Sequence, residues 1–291
     1  MTTSTNTLVV RSVAFWSGRV PDWALLRSVC RGQALPLDEP QRLPPSTLLS
    51  AAERRRAPES VQLALHVADR AVKDAALDAS TLASVFASPH GDLGITHAMC
   101  ETLARDPGAV SPTRFIHSVH NAVSGHWGIA QRVLRPSTSV AAGRCTFAAG
   151  LLEAATQAAC NAEPVLLVAY ETRPVGATAR LTGTEGSMAV AVVLEPRAMP
   201  SQDASAFMAK RESAASGPVM RWHVAQTVAS QSGGTCISPQ TLGHLARNHL
   251  VDALAWLQAL ATTHATPAPV LALPLSAALH GGASLHIEWE G

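Results

Sequence analysis

The chain has few charged residues and no excess of either sign. Charged residues make up 15% of its 291 residues, against roughly 25% in an average soluble domain. Lysine and arginine together number 22 and aspartate and glutamate 21, which gives a formal net charge of +1. Without a basic excess, neither nucleic acid nor an anionic membrane is an expected partner. A surface so poor in charge indicates instead that part of it is covered by another subunit.

The sequence also lacks long apolar runs and paired cysteines. Its longest apolar stretches, such as residues 165–170, are far shorter than the ~20 residues of a membrane-spanning helix. The five cysteines include no Cys-x-x-Cys pair, which argues against both a disulfide framework and a zinc knuckle. Residues 1–7 are polar and uncharged, unlike a signal peptide. These features predict a cytoplasmic protein with no membrane span.

Apolar residues, at 47% of the chain, suffice for a large core and exclude a mainly disordered state. β-branched and apolar runs predict strands at 8–15, 82–88, 138–142, 165–171, 188–195, 270–273 and 283–289. Apolar spacings of three and four predict helices at 23–30, 51–76, 95–103, 121–134, 147–159 and 239–263, and the polar stretch 202–217 predicts a loop. This alternation predicts an α/β fold whose central strands are buried on both faces.

Residues 137–155 are the most informative stretch, since they predict a strand, a turn at Gly143 and an apolar helix. In such a nucleophile elbow one side chain stands at the helix N-terminus, where backbone N–H groups stabilise a thiolate or an oxyanion. Arg144 and Cys145 compete for that place, and of the two only Cys145 is a nucleophile. Alternatively, Cys145 is a small buried apolar side chain, as free cysteine often is.

Several motifs resemble those of known condensing enzymes. Residues 139–151, Ser-Val-Ala-Ala-Gly-Arg-Cys-Thr-Phe-Ala-Ala-Gly-Leu, resemble the active-site elbow of β-ketoacyl synthases, which have the thiolase-like fold. Stretches 83–88, 91–97 and 111–122 resemble a short ketosynthase-like family of chain-length-factor-like subunits from aryl polyene and xanthomonadin pathways. The resemblance continues through residues 183–194, and residues 281–285 are similar to the closing glycine turn of the synthases.

The resemblance implies a thiolase-like, layered α/β/α fold with a truncated C-terminal half. Residues 1–196 would form a ketosynthase-like N-terminal domain, and residues 197–291 a shortened C-terminal portion that completes the same fold. The mostly apolar helix 147–159 would then lie buried between sheets.

Two departures from the active synthases stand out. Set against their elbow, Arg144 holds the nucleophile position and Cys145 falls one residue later, which turns its side chain by about 100°. Arg144 cannot attack a thioester, because its guanidinium is always protonated. The two histidine motifs of the synthases are also missing after Pro196. Gly243 and His244 are only a weak match to the second of them. The resemblance therefore implies that this chain holds no catalytic residue.

We therefore expect a non-catalytic, chain-length-factor-like subunit without cofactor or metal. It would form a heterodimer with a catalytic β-ketoacyl synthase and shape the acyl tunnel in polyene synthesis on an acyl carrier protein. In thiolase-like dimers the strand before the elbow pairs across the two-fold axis, and the helix that precedes it packs beside that strand. The expected interface and tunnel residues are Asn121, Gly125, Val140, Arg144 and Phe147.

Three consecutive arginines follow Glu53. They most simply form a solvated helical turn, but because acyl carrier proteins are acidic, Arg54, Arg55 and Arg56 are also candidates for carrier docking.

A different class of function remains open in the sequence. Cys145 would make the chain a self-sufficient acyltransferase or thioesterase if a base stood within hydrogen-bond reach, and His117 and His120 are the candidates. A metal site formed by these histidines with His126 is not expected, because His120 and His126 do not share a helix face. The loop Gly91–Gly94 lacks the lysine of a phosphate-binding loop.

Overall fold

The computed structural model is built around a mixed β-sheet, and it describes residues 6–197, 217–226, 242–243, 245, 247–263, 270–275 and 282–290. The strands are β1 (Asn6–Ser17), β2 (Ala83–Ala87), β3 (Ser137–Val140), β4 (Val165–Glu171), β5 (Met188–Pro196), β6 (Val219–Gln226), β7 (Val270–Pro274) and β8 (Ala283–Glu290). The helices are α1 (Trp23–Cys30), α2 (Ala51–Arg56), α3 (Glu59–Asp74), α4 (Leu93–Arg105), α5 (Pro112–Ser118), α6 (Ala122–Gln131), α7 (Thr146–Asn161), α8 (Gly176–Thr182) and α9 (Val251–Ala261).

The strands lie in the order β3-β2-β4-β5-β1-β6-β8-β7. β2 pairs in parallel with both β3 and β4, and the other pairings of the sheet are antiparallel. β3 therefore forms one edge of the sheet. β6, β8 and β7, which come from the C-terminal third of the chain, extend the same sheet beyond β1.

The central strands carry helices on both faces. Val85 and Leu167 point into an apolar cluster with α1, α7 and α9, whereas Phe86 and Val168 point into a second cluster with α3 and α6. All seven residues of β4 are buried, as expected of a strand covered on both sides. The predicted α/β/α layering is confirmed.

Gly150 lets helix α7 pack directly against the sheet. A Cβ at Gly150 would come within 2.8 Å of the Ala87 Cβ on β2, so a larger residue would push the helix away. The predicted burial of this helix is confirmed, since Phe147, Leu151, Ala154 and others are fully buried. In the described part of the chain, however, its surroundings are one continuous sheet and α9, not two separate sheets.

Trp256 of α9 joins the two parts of the chain. Its ring centroid lies 5.6 Å from that of Phe147 on α7 and 5.7 Å from that of Trp289 on β8, and it is fully buried. Aromatic pairs at such distances add to the stability gained from their buried area.

The structure differs from the sequence prediction at Pro58. The predicted helix through Ala76 is divided into α2 and α3, because proline disfavours helical dihedrals in the residue before it, and Ala57 is extended. The capping box of Ser50 and Glu53 is present at the start of α2, as predicted. β6, α5 and α8 have no counterpart in the sequence prediction.

Several predicted features lie outside the described residues. These are most of the loop 202–217, residues 239–241 of the predicted helix 239–263, His244, Cys236 and Gly281. Residues 247–250 of that predicted helix are described and are not helical, so the helix begins later than predicted, at Val251. Among the helices of the described part, none combines the length and apolar character that crossing a bilayer requires.

Candidate functional site

The elbow between β3 and α7 is held by one threonine. Gly143 has a φ of +56°, a left-handed conformation that glycine adopts without strain. The Thr146 hydroxyl donates a hydrogen bond to the Gly143 carbonyl at 2.7 Å and accepts one from the Ala142 N–H at 2.9 Å. The turn that carries Arg144 and Cys145 is therefore fixed by the conformation of Gly143 and by the two hydrogen bonds of the Thr146 hydroxyl.

Arg144 and Cys145 leave this turn in different environments. Arg144 is exposed, whereas Cys145 is buried, with 3% of its surface accessible. Burial raises the pKa of the Cys145 thiol, and the nearby Asp252 carboxylate raises it further. An activated nucleophile needs the opposite shift, so this thiol stays protonated at neutral pH.

Asp252 connects α9 to the N-terminus of α7. Its carboxylate accepts hydrogen bonds from the backbone N–H groups of Ala148 at 2.9 Å and of Ala253 at 3.1 Å. Burial nevertheless outweighs these bonds and raises the pKa of Asp252 from 3.8 to about 7. A carboxyl group thus occupies the helix N-terminus at which a synthase elbow would stabilise negative charge.

Asp252→Asn should change how stability depends on pH. Because the folded-state pKa of Asp252 is raised to about 7 from 3.8, its favourable contribution is complete below pH ~4 and is lost as the pH rises towards ~7. The asparagine variant does not titrate, so it should gain stability relative to the wild type over this range. Urea unfolding at several pH values measures the difference, and a pH-independent difference would contradict the assignment.

A second polar cluster lies where β2 and β4 end. His90 follows β2, Glu171 is the last residue of β4, and His249 precedes α9. His90 Nδ1 is 2.9 Å from Glu171 Oε1, and the His90 and His249 ring centroids are 4.8 Å apart. Burial raises the pKa of Glu171, which is 1% exposed. The pKa of His249 is lowered, mainly by burial and further by the charges of His90 and Arg144.

The three histidines singled out in the sequence separate into two places. His117 and His126 stack with ring centroids 5.3 Å apart, while the His120 Nε2 contacts the Ser88 carbonyl oxygen at 2.7 Å. His120 and His126 thus make different contacts, and the described residues show neither His117 nor His120 hydrogen-bonded to Cys145.

The loop Gly91–Gly94 begins a helix. The Asp92 carboxylate accepts hydrogen bonds from the Ile95 N–H at 2.8 Å and from the Ser60 hydroxyl at 2.7 Å. A protein carboxylate therefore already occupies the N-terminus of α4, and a phosphate there would meet like charge.

The residues expected at an interface do not all lie at the surface. Gly125 on α6 and Asn121, the residue before that helix, are exposed, and Val140 on the edge strand β3 is half-buried. Phe147 is instead fully buried against Trp256, in the core.

Exposed apolar side chains concentrate in one stretch of the chain. Six of the ten large apolar side chains exposed in the described part lie between residues 103 and 134, on α4, α5, α6 and the segments beside them: Leu103, Phe115, Ile116, Val119, Ile129 and Leu134. Ile129 is 80% exposed and Leu134 97%. Large exposed apolar patches are typical of interaction sites.

The three arginines of α2 are not equivalent. Arg54 is half-buried and donates hydrogen bonds to the carbonyl oxygens of Ser46 at 3.2 Å and Leu49 at 2.6 Å, whereas Arg55 and Arg56 are exposed.

Asp252 and the cluster of His90, Glu171 and His249 are absent from the sequence-based candidates. The sequence signal for them was an acidic residue within an otherwise apolar element. Glu171 ends a strand of six apolar residues, and Asp252 lies in the first turn of an apolar helix. Acidic residues are rarely buried without a partner.

Comparison with known proteins gives one family and a set of related folds. The family model described as the N-terminal domain of β-ketoacyl synthases matches residues 29–242. No curated protein sequence matches the chain.

The similar solved structures are ketosynthase assemblies. One is a ketosynthase (ApeO) in complex with its chain length factor (ApeC) from Xenorhabdus doucetiae, with 19% identity, a TM-score of 0.67, and 97% of this chain and 99% of that chain covered. Another is the ishigamide ketosynthase/chain length factor, with 13% identity, a TM-score of 0.64, and 98% of this chain and 99% of that chain covered. A third is a type II polyketide synthase acyl-carrier protein in complex with its ketosynthase, with 12% identity, a TM-score of 0.69, and 98% of this chain and 99% of that chain covered. These likenesses confirm the predicted thiolase-like fold.

Proposed function

Because the chain belongs to the β-ketoacyl synthase family, we propose that it is a non-catalytic, chain-length-factor-like subunit. The observation that carries the proposal is the elbow, where Arg144, which the resemblance aligns with the synthase nucleophile, is exposed and Cys145 is buried with a raised pKa. A guanidinium cannot attack a thioester. Condensation on a carrier-bound malonyl group would therefore take place in the catalytic partner.

The β3 edge is the proposed interface with that partner. β3 pairs with β2, and its other side bears no strand in the described part of the chain. The strand is Ser-Thr-Ser-Val, without charge or proline, although exposed edges are usually protected by such residues. Helix α6, which begins after Asn121 and carries Gly125 and Ile129, contacts this strand, and Leu134 lies three residues before it. An obligate interface here should bury more than about 2,000 Å².

The kinds of protein seen in the similar structures support the same assignment. Ketosynthases in complex with a chain length factor or an acyl-carrier protein share the fold over nearly the whole chain. We infer that an acyl carrier protein serves the heterodimer, with Arg55 and Arg56 as its docking candidates, since Arg54 is engaged internally. We also propose that the heterodimer synthesises polyenes of the aryl polyene type. Arg144 would help to close the acyl tunnel of the complex.

The isolated subunit should show no condensing activity, and Cys145→Ala should leave the activity of the heterodimer nearly unchanged. The measurement is condensation of malonyl-carrier substrate by the co-expressed complex. Replacing the nucleophile of the partner ketosynthase is the positive control, which should abolish turnover. A loss of more than about 100-fold in the Cys145→Ala complex would contradict the proposal, because a loss of that size marks a group that takes part in the chemistry.

A further inference from the structure

His90, Glu171 and His249 form a three-residue cluster that the proposed function does not use. They come from three separate segments: the turn after β2, the end of β4 and the segment before α9. One nitrogen or oxygen atom from each lies within 4.8 Å of the others, and this is the one such group of three or more among the described residues. The cluster thus brings two imidazoles and a carboxylate to one point.

Two atoms of this cluster are buried acceptors that lack a donor. Glu171 Oε2 and His249 Nδ1 are both buried without a hydrogen-bond partner. The His249 Nε2 lies 3.2 Å from the Thr182 carbonyl oxygen, and since a carbonyl only accepts, Nε2 carries the proton in the neutral ring. Nδ1 then presents its lone pair. Leaving two buried lone pairs unpaired is costly, so the cluster is arranged to accept a donor or a cation between its residues.

We propose that His90, Glu171 and His249 bind a divalent transition-metal ion. Imidazole nitrogens favour zinc, cobalt, nickel or iron over calcium and magnesium, which prefer all-oxygen sites. One carboxylate and two neutral imidazoles also leave coordination positions for water, which fits the partial exposure of His90, 25% accessible. The hydrogen bond from His249 Nε2–H to a backbone carbonyl is the outer contact that orients most metal-binding histidines.

The charges around the cluster set a second expectation. Glu171 supplies the negative charge, and Arg144 lies close enough to lower the pKa of His249. A cation bound here is therefore repelled by the guanidinium, and removing that charge should tighten binding. The site does not depend on the chain being a chain length factor, and its test needs no partner subunit.

The full chain, stripped with a chelator, is titrated with Co²⁺ followed by visible absorption and with Zn²⁺ followed by calorimetry. We expect one ion per chain with a Kd of about 1 µM or below. At a 100-fold excess over Kd, the midpoint of thermal unfolding should rise by about 5 °C. Binding weaker than this, or without the ligand-field absorption of Co²⁺, overturns the proposal and leaves a shared proton as the positive centre.

Four variants separate the cluster from other histidines. His249→Ala and His90→Ala should each weaken Co²⁺ binding by about 100-fold, and Arg144→Gln should strengthen it. His117→Ala, which removes one ring of the stacked pair His117–His126, should leave Co²⁺ binding unchanged. Circular dichroism verifies folding, and because His90 is partly exposed, that variant keeps the test valid if His249→Ala is unstable. Binding that survives in the His90→Ala variant refutes the site.

Discussion

Replacing Ile129 and Leu134 together with aspartate should split the heterodimer with a ketosynthase and leave the isolated chain folded. Both side chains are exposed, by 80% and 97%, so the substitutions remove almost no packing within the chain. In the complex they would bury two unpaired charges, which is strongly unfavourable. The expected loss of affinity is at least about 1,000-fold, or about 4 kcal/mol. Co-purification and sedimentation velocity measure it.

Leu35→Asp is the matched control, because Leu35 is 78% exposed in the loop after α1, away from β3. It should co-purify with the partner in full yield. If the Ile129→Asp, Leu134→Asp double variant also does so, the interface lies elsewhere on the chain and the proposed β3 interface is wrong. Val140→Asp should also split the complex, but Val140 packs against the core, so that change tests folding and binding together.

Trp256→Ala should destabilise the whole chain by about 3–5 kcal/mol, the usual cost of removing a buried tryptophan. The ring is fully buried and packs between Phe147 and Trp289, so its loss opens a cavity between α7, α9 and β8. We propose that residues 197–291 complete one cooperative fold with residues 1–196. Urea unfolding followed by circular dichroism should then show a single transition at lower denaturant.

Trp256→Phe serves as the comparison. It keeps an aromatic ring beside Phe147 and removes the Nε1 donor, which has no hydrogen-bond partner in the structure. We expect a change below about 1.5 kcal/mol. Two separate transitions in the Trp256→Ala variant would show that the two parts fold independently and would contradict the single-fold proposal.

The regular part of the fold was accessible from local sequence patterns. β4 and β5 are apolar runs, and the capping box at Ser50 marks a helix start, so each is determined within about ten residues. The break at Pro58 also has a local signal, the proline itself. The sequence prediction nevertheless continued the helix through it, because the apolar spacing of α3 follows directly. β6 was missed because it carries Arg221 and His223 among its apolar residues, a pattern that only pairing with β1 and β8 makes a strand.

The candidate site divides in the same way. The turn at Arg144 and Cys145 lies in one continuous motif, so its position at the start of α7 followed from the resemblance to synthases. The burial of Cys145 beside Asp252 and the meeting of His90, Glu171 and His249 join segments about 80 or more residues apart. No local period encodes such contacts, because they arise only when the sheet order is set.

The open edge of β3 also bears on how cells handle this chain before assembly. An uncharged, proline-free edge with leucine and isoleucine beside it is a template for indiscriminate strand addition. A surplus of the subunit over its partner would therefore feed aggregation, or removal by proteases, instead of a reserve pool. Under the proposed pairing, the two chains would need balanced synthesis, and the yield of soluble subunit should follow the dosage of its partner.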